Sequence, residues 1–155
     1  MRLRDVRPDD KPLFVEGFAH LSEDSRYLRF FGTKKSLNED ELHYLTEVDG
    51  VRHVAIGALD DEGHGVGVGR YVMLDDAPGV AEVAVTVVDE LQGRGLGHVL
   101  VEHLVERARA AGNVRSLRFW VLPINVGMRH LLEDLGARFR QRDGSTECWE
   151  LDVNR

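Results

Sequence analysis

The feature of this sequence that most constrains its fold is a strand-like run that leads through a glycine-rich turn into a long helical pattern. Residues 80–88 (VAEVAVTVV) are almost continuously apolar and β-branched, which predicts a central strand covered on both faces. Residues 92–97 (QGRGLG) follow, and apolar residues then recur at helical spacing from Gly95 to Ala111, before Gly112. Backbone N–H groups at the start of such a helix have no partner within it, and glycines leave the main chain open. The turn is therefore a candidate site for a phosphate-bearing ligand.

Two well-known phosphate-binding loops do not fit this turn. A P-loop requires a lysine directly after its last glycine, whereas His98 follows Gly97. A dinucleotide-binding turn requires the spacing GxGxxG early in a βαβ unit, whereas the spacing here is GxGxG, after a predicted hairpin. A different class of anionic ligand is expected, with Arg94 as a cation that meets a phosphate.

The rest of the chain predicts strands and helices in mixed order. Strands are predicted over 2–6, 51–59, 65–74, 117–122, 137–141 and 146–153, and helices after Pro8, over 22–31, after Asn38 and over 126–135. This order predicts an α/β (α+β) fold, with a mixed, mostly antiparallel sheet and helices on both faces. Residues 1–155 are predicted to form one domain. The four glycines within 63–69 are interpreted as a close-packed strand face.

Composition excludes several classes of function. The 20 basic and 27 acidic residues give a net charge of −7, which argues against a general nucleic-acid binder. No apolar run approaches the roughly 20 residues that a membrane helix needs, and the first residues lack the apolar core of a signal peptide, so a cytoplasmic location is expected. The single cysteine, Cys148, excludes an internal disulfide framework, and the seven histidines show no metal-ligand spacing, so no metal site is predicted.

Residues 92–97 resemble the Q/R-x-x-G-x-G/A signature of the GCN5-related N-acetyltransferase (GNAT) family. Asn125 and the later residues 131–137 (LLEDLGA) resemble a second segment of that family, and the strand order is similar. The resemblance covers nearly the whole chain, most strongly 80–137. It implies a sheet split into a V between its two central strands, with acetyl-CoA as the co-substrate.

The resemblance also implies which residues contact acetyl-CoA. The main chain near Val85, Thr86 and Val87 would receive the pantetheine arm, and Asn125 would contact the co-substrate from the opposite strand. The pyrophosphate would lie against Gln92, Gly93, Arg94, Gly95, Leu96, Gly97 and His98. Asn125 can equally be an ordinary helix cap, and the valine side chains can belong to the core.

Glu82 is the predicted general base. It is the one acid in the apolar strand, where a buried carboxylate needs a partner or a use, and alternation puts it on one face with Ala84 and Thr86. Residues 81–87 (AEVAVTV) also resemble a family segment in which the glutamate is the base. The alternative is a structural carboxylate paired with an arginine such as Arg70.

The sequence assigns no general acid. Many family members carry a tyrosine at the position of Leu132, so direct acetyl transfer in a ternary complex is predicted, with the proton supplied by water or by the new ammonium group. Cys148, in a predicted edge strand, is interpreted as a core cysteine rather than an acyl carrier.

The sequence constrains the acetyl acceptor less than it constrains the acetyl donor. Residues 22–31 (SEDSRYLRFF) resemble a segment of the bacterial Pat-type protein lysine acetyltransferases, which modify acyl-CoA synthetases. That resemblance implies a protein lysine as acceptor, although the same helix can be purely structural. A small-molecule amine and a non-catalytic acetyl-CoA-sensing module stay open as alternatives. No regulatory module is expected within the chain, and a homodimer through the C-terminal strand is possible.

Overall fold

The computed structural model describes residues 1–22 and 36–154. Its strands are β1 (Arg2–Asp5), β2 (His53–Leu59), β3 (Gly65–Met73), β4 (Val80–Val87), β5 (Ser116–Val121), β6 (Arg138–Asp143) and β7 (Thr146–Asp152). Its α-helices are α1 (Lys11–Ala19), α2 (Glu39–Thr46), α3 (Leu96–Ala111) and α4 (Val126–Asp134), and two short 3-10 turns cover Pro8–Asp10 and Asp89–Leu91. The predicted strands and the predicted helices that lie within the described residues are confirmed, with ends that shift by one or two residues. The helix predicted over 22–31 falls outside the described residues from position 23 onward.

All seven strands form one sheet in the order β1-β2-β3-β4-β5-β7-β6. Every neighbouring pair is antiparallel except β4 and β5, which run parallel at the centre. Helix α3 packs on one face of β3 and β4, and α1 covers the other face, where Phe14 lies over Arg70. The predicted mixed, mostly antiparallel sheet with helices on both faces is therefore confirmed. No α-helix within the described residues is long and apolar enough to cross a membrane.

Gly67 and Gly69 let α3 lie close to β3. A Cβ atom at Gly67 would be 3.1 Å from Leu96 Cδ2, and one at Gly69 would be 3.1 Å from Leu104 Cδ1. Both distances are shorter than ordinary van der Waals contact, so a side chain at either position would push the helix away. These glycines form a packing surface, as the sequence predicts.

The position of β7 corrects one prediction. The sequence predicts that Cys148 lies in an edge strand, but β7 lies between β5 and β6, and β6 is the edge. Strand β6 (RFRQRD) is exposed along its whole length, whereas most of β7 (TECWELD) is buried. The more apolar strand takes the interior place, and the arginine-rich strand is left at the edge, where charge disfavours pairing with another chain. An exposed C-terminal strand for dimer formation is therefore not present in β7.

Candidate active site

The central strands part in the middle of the sheet. Pairing between β4 and β5 runs from Val80↔Ser116 to Val83↔Phe119, but β4 continues to Val87 and β5 to Val121. The diverging ends open a cleft of about 800 Å³. Its walls are the ends of both strands, the glycine turn and parts of α2 and α4. The sheet thus has the V-shaped opening that the resemblance implies.

The main chain of β4 faces this cleft at alternate residues. Val88 N–H donates to Val66 O, and Leu74 N–H donates to Val80 O, so the even-numbered residues of β4 exchange hydrogen bonds with β3. The odd-numbered residues then turn their N–H and C=O groups toward β5. Val85 and Val87 lie beyond the last pair with β5, so their peptide groups point into the cleft.

Gln92 and Thr86 lie beside the end of β4 and make different contacts. Gln92 Nε2 donates to Val87 O at 3.0 Å, so the predicted ligand Gln92 ties the glycine turn to the end of β4. The main chain of Thr86 faces β3, and its side chain lines the cleft on the same sheet face as Glu82. A contact of Thr86 with a ligand would therefore use its side chain.

The glycine turn has the backbone geometry of an open cradle. Gly93 has a φ of 78° and Gly95 a φ of 85°, and Gly95 is the N-cap residue of α3. No atom lies within 4 Å of a Cβ built at either position, so the turn offers free space above exposed N–H groups. At Gly97 a Cβ would be 3.9 Å from Leu131 Cδ2 and 4.0 Å from Val85 Cγ1, which form the adjacent wall.

Of the other predicted ligand residues, two line the cleft and two do not. Arg94 is exposed and is not among the residues that line the cleft. Leu96 is 6% exposed and packs in the core, so a ligand could reach only its main chain. His98 lines the cleft and lies 2.5 Å from Glu102, measured from Nε2 to Oε1. Asn125 also lines the cleft, and its Oδ1 accepts from Met128 N–H at 3.2 Å, so it is a helix cap as well as a cleft residue.

Glu82 lies half-buried on the cleft wall, near the point where β4 and β5 part. Its Oε2 accepts a hydrogen bond from Trp120 Nε1 at 2.5 Å. Arg70, the alternative structural partner, instead donates to Leu45 O at 3.0 Å and to His53 Nε2 at 2.9 Å. Within the described residues Glu82 forms no ion pair, so the carboxylate is held by a neutral donor.

Trp120 and Tyr44 are cleft residues that the sequence analysis does not single out. Trp120 belongs to the strand SLRFWV, where period-2 alternation predicts only that it shares a face with Arg118. Its place beside Glu82 depends on the pairing of β5 with β4. Tyr44 lies on α2 with 52% exposure, and its ring stands 5.0 Å from that of His53. No local pattern distinguishes Tyr44 from any other exposed helix residue.

The comparisons with known proteins agree with this geometry. Residues 14–137 match the acetyltransferase (GNAT) family. The chain belongs to the GNAT family. It is 34% identical over 155 residues to acetyltransferase Pat of Mycolicibacterium smegmatis, covering 97% of this chain and 45% of that protein. It is 34% identical over 149 residues to acetyltransferase PA5475 of Pseudomonas aeruginosa, covering 94% of this chain and 79% of that protein.

A solved structure extends the match to the fold. The GNAT domain of S. lividans PAT superposes with a TM-score of 0.91 at 30% identity, covering 97% of this chain and 89% of that domain. The seven-stranded sheet is therefore a GNAT fold, and the chain is a member of a family of acyltransferases that use acetyl-CoA. The chain spans less than half of the M. smegmatis protein, so the activity and control of that whole protein do not transfer with the match.

Leu132 and Cys148, the two residues that the sequence analysis considers as a general-acid position and an acyl carrier, do not line the cleft. Leu132, where many family members have tyrosine, is fully buried in the core, and its neighbour Leu131 lines the cleft instead. Cys148 is 3% exposed, and burial raises the pKa of its thiol. A buried thiol with a raised pKa is a poor nucleophile, which supports its interpretation as a core residue.

Proposed function

We propose that this protein is an acetyl-CoA-dependent N-acetyltransferase that transfers an acetyl group directly to a primary amine, with Glu82 as general base. The observation that carries the proposal is the arrangement at the split of β4 and β5. The Glu82 carboxylate lies on one wall of the cleft, while the peptide groups of Val85 and Val87 lead along β4 to the glycine turn. A base and an extended binding edge thus share one cleft.

The cleft fits the two chemical parts of acetyl-CoA, which supplies an activated acetyl thioester when bound. The edge of β4 beyond its last pair with β5 offers the N–H and C=O groups of Val85 and the N–H of Val87, while Val87 O is bound by Gln92. Such an edge suits the amides of the pantetheine arm. The positive φ values at Gly93 and Gly95 expose the N–H groups that begin α3, which suit the pyrophosphate. Asn125, His98 and Arg94 remain proposed contacts at the rim.

Glu82 supplies the base that amide formation requires, because the attacking amine must lose a proton. An alkylamine has a pKa of about 10.4, so only about one molecule in 10³ is neutral and nucleophilic at pH 7. The Oε2 atom of Glu82 is bound by Trp120, which leaves Oε1 to accept the amine proton directly or through one water. No residue of the described chain is assigned as general acid.

A protein lysine is the proposed acceptor. The support is the likeness to the Pat proteins of M. smegmatis and S. lividans and the resemblance of residues 22–31, most of which lie outside the described residues. An acyl-CoA synthetase is a suitable first candidate, and a small-molecule amine is the alternative. A cytoplasmic location is part of the same proposal.

The experiment is thiol release from acetyl-CoA by the wild type and the Glu82→Gln variant, with acyl-CoA synthetases and a panel of amines as acceptors. Loss of at least 100-fold in turnover with unchanged acetyl-CoA affinity is expected for Glu82→Gln. Glu106→Gln is the control, because Glu106 is an exposed glutamate of α3 that does not line the cleft.

Mass spectrometry of the products then identifies the acceptor. Acetylated lysine in a synthetase would support a protein acceptor, whereas products only from amines would support the small-molecule alternative. Tight acetyl-CoA binding without release to any acceptor would contradict the proposed enzyme and favour a sensing module.

A further inference from the structure

Trp120 lies one residue beyond Phe119, the last residue of β5 that pairs with β4. Its indole is half-buried, lines the cleft and donates to Glu82 Oε2 at 2.5 Å. We infer that Trp120 is a positioning residue that holds the Glu82 carboxylate in the cleft, while Glu150 keeps the neighbouring cation, Arg118, away from that carboxylate. The inference rests on the proposed function of Glu82 as the base.

The chemistry of the indole suits this role. An indole N–H is a donor only, so it binds the ionised carboxylate and cannot accept a proton from the amine. It fixes one carboxylate oxygen and leaves the other for catalysis. The next residue on this face of β4 is Ala84, whose small side chain also lines the cleft.

Arg118 is the cation that the strand register places beside Glu82. The two residues are direct partners between β4 and β5. Arg118 nevertheless donates from Nε and Nη2 to Glu150 Oε2 at 3.1 and 3.0 Å, and Arg140 binds the other oxygen of Glu150 at 3.0 Å. An arginine paired with Glu82 would stabilise the carboxylate and weaken it as a base. Glu150 therefore preserves the proton affinity that Glu82 needs.

Other charged and titratable groups lie on the elements that surround this carboxylate. From β3, Arg70 is bound to Leu45 O and to His53 on β2. From β7, Cys148 lies opposite Trp120, and burial raises the pKa of its thiol. The remaining groups that line the cleft are Tyr44 on α2, His98 on α3, and His130 and Asp134 on α4. Trp120 is the side chain that the structure shows bonded to Glu82.

The test compares pH profiles of kcat/KM for the full chain and two variants, with one amine acceptor identified in the screen above. Trp120→Phe keeps an aromatic ring but removes the donor, so protonation of the carboxylate becomes easier. We expect the acid limb to move to higher pH by about one unit and kcat to fall about tenfold, with acetyl-CoA affinity unchanged within about twofold. Glu150→Gln leaves the charge of Arg118 unbalanced, so the acid limb should move to lower pH.

These opposite shifts separate positioning from a general loss of structure. Trp149→Phe is the control, because Trp149 and the glutamate to which it donates, Glu147, both belong to β7 and do not line the cleft. The acid limb of this variant should coincide with that of the wild type. An unmoved acid limb in Trp120→Phe, or shifts of the same sign in both variants, would overturn the inference. If Trp120→Phe does not fold, Trp120→Leu removes the same donor and takes its place, and the Glu150→Gln shift tests the role of Glu150.

Glu82→Gln and Trp120→Phe together distinguish failure of this inference from failure of the proposed function. Retained turnover in Glu82→Gln would remove the base itself. Lost turnover in Glu82→Gln, together with wild-type behaviour of Trp120→Phe, would remove only the role of Trp120.

Discussion

The guanidinium of Arg70 donates to Nε2 of His53 at 2.9 Å, so the imidazole of His53 must be neutral to accept this hydrogen bond. Burial, with the charge of Arg70 as the second cause, lowers the pKa of His53 to about 4. Arg70 also donates to Leu45 O at the end of α2. The pair thus connects the sheet to the helix that carries Tyr44 to the cleft.

The first prediction concerns acid stability. Unfolding restores the pKa of His53 from about 4 to its ordinary 6.5, so the unfolded chain binds the extra proton between these values. Stability is therefore full above pH 6.5 and falls as the pH drops toward 4. His53→Gln keeps an acceptor for Arg70 but does not titrate. Between pH 7 and 5 the wild type should lose about 2 kcal/mol more unfolding free energy than this variant, measured by urea denaturation. Equal losses in the two proteins would contradict the prediction.

The second prediction concerns the glycines of β3. Gly69→Ala would place a Cβ 3.1 Å from Leu104 Cδ1 and 3.3 Å from Leu100 Cβ. Overpacking at a buried helix–sheet contact should lower the unfolding free energy by about 1–3 kcal/mol. Gly65→Ala is the control on the same strand, because its nearest contact is 3.6 Å from Leu13 Cβ and ordinary. Denaturation midpoints should fall clearly in the first variant and change little in the second.

Local pattern explains which parts of the fold and site the sequence predicts. The β-branched run at 80–87, the glycines of the turn and the apolar spacing of α3 are all set within short windows. The capping box at Asn38 is likewise local, and the structure shows both of its hydrogen bonds, between Asn38 and Glu41. Strand and helix positions therefore follow from neighbouring residues.

Features that depend on register or strand order do not follow from short windows. The contact of Glu82 with Trp120 requires the parallel register that places Glu82 opposite Arg118. Strand β7 takes an interior position only because it pairs with β5, which its own pattern does not reveal. The same limit applies to Arg70, which the sequence offers as a partner of Glu82 but which binds Leu45 and His53.

The third prediction concerns Cys148. Its thiol is buried and its pKa is raised by burial, so it should not carry the acetyl group. Cys148→Ala should retain wild-type turnover, apart from a stability loss of about 1 kcal/mol for the small cavity. Initial-rate kinetics with both substrates varied should show intersecting lines, as a ternary complex requires. An acetylated Cys148 detected by mass spectrometry after mixing with acetyl-CoA alone would contradict direct transfer.

The last prediction separates backbone strain from ligand binding at the two ends of α3. Gly95 at its start has a φ of 85° and Gly112 at its end a φ of 78°, and a Cβ at either position meets no atom within 4 Å. Alanine should therefore cost about 1–2 kcal/mol of stability at each site, through the left-handed backbone alone. Gly95 lines the cleft and Gly112 does not, so only Gly95→Ala should also weaken acetyl-CoA binding, by about tenfold or more. Thermal denaturation and isothermal titration calorimetry measure the two effects separately. Equal acetyl-CoA affinities in the two variants would show that the glycine turn does not contact the co-substrate.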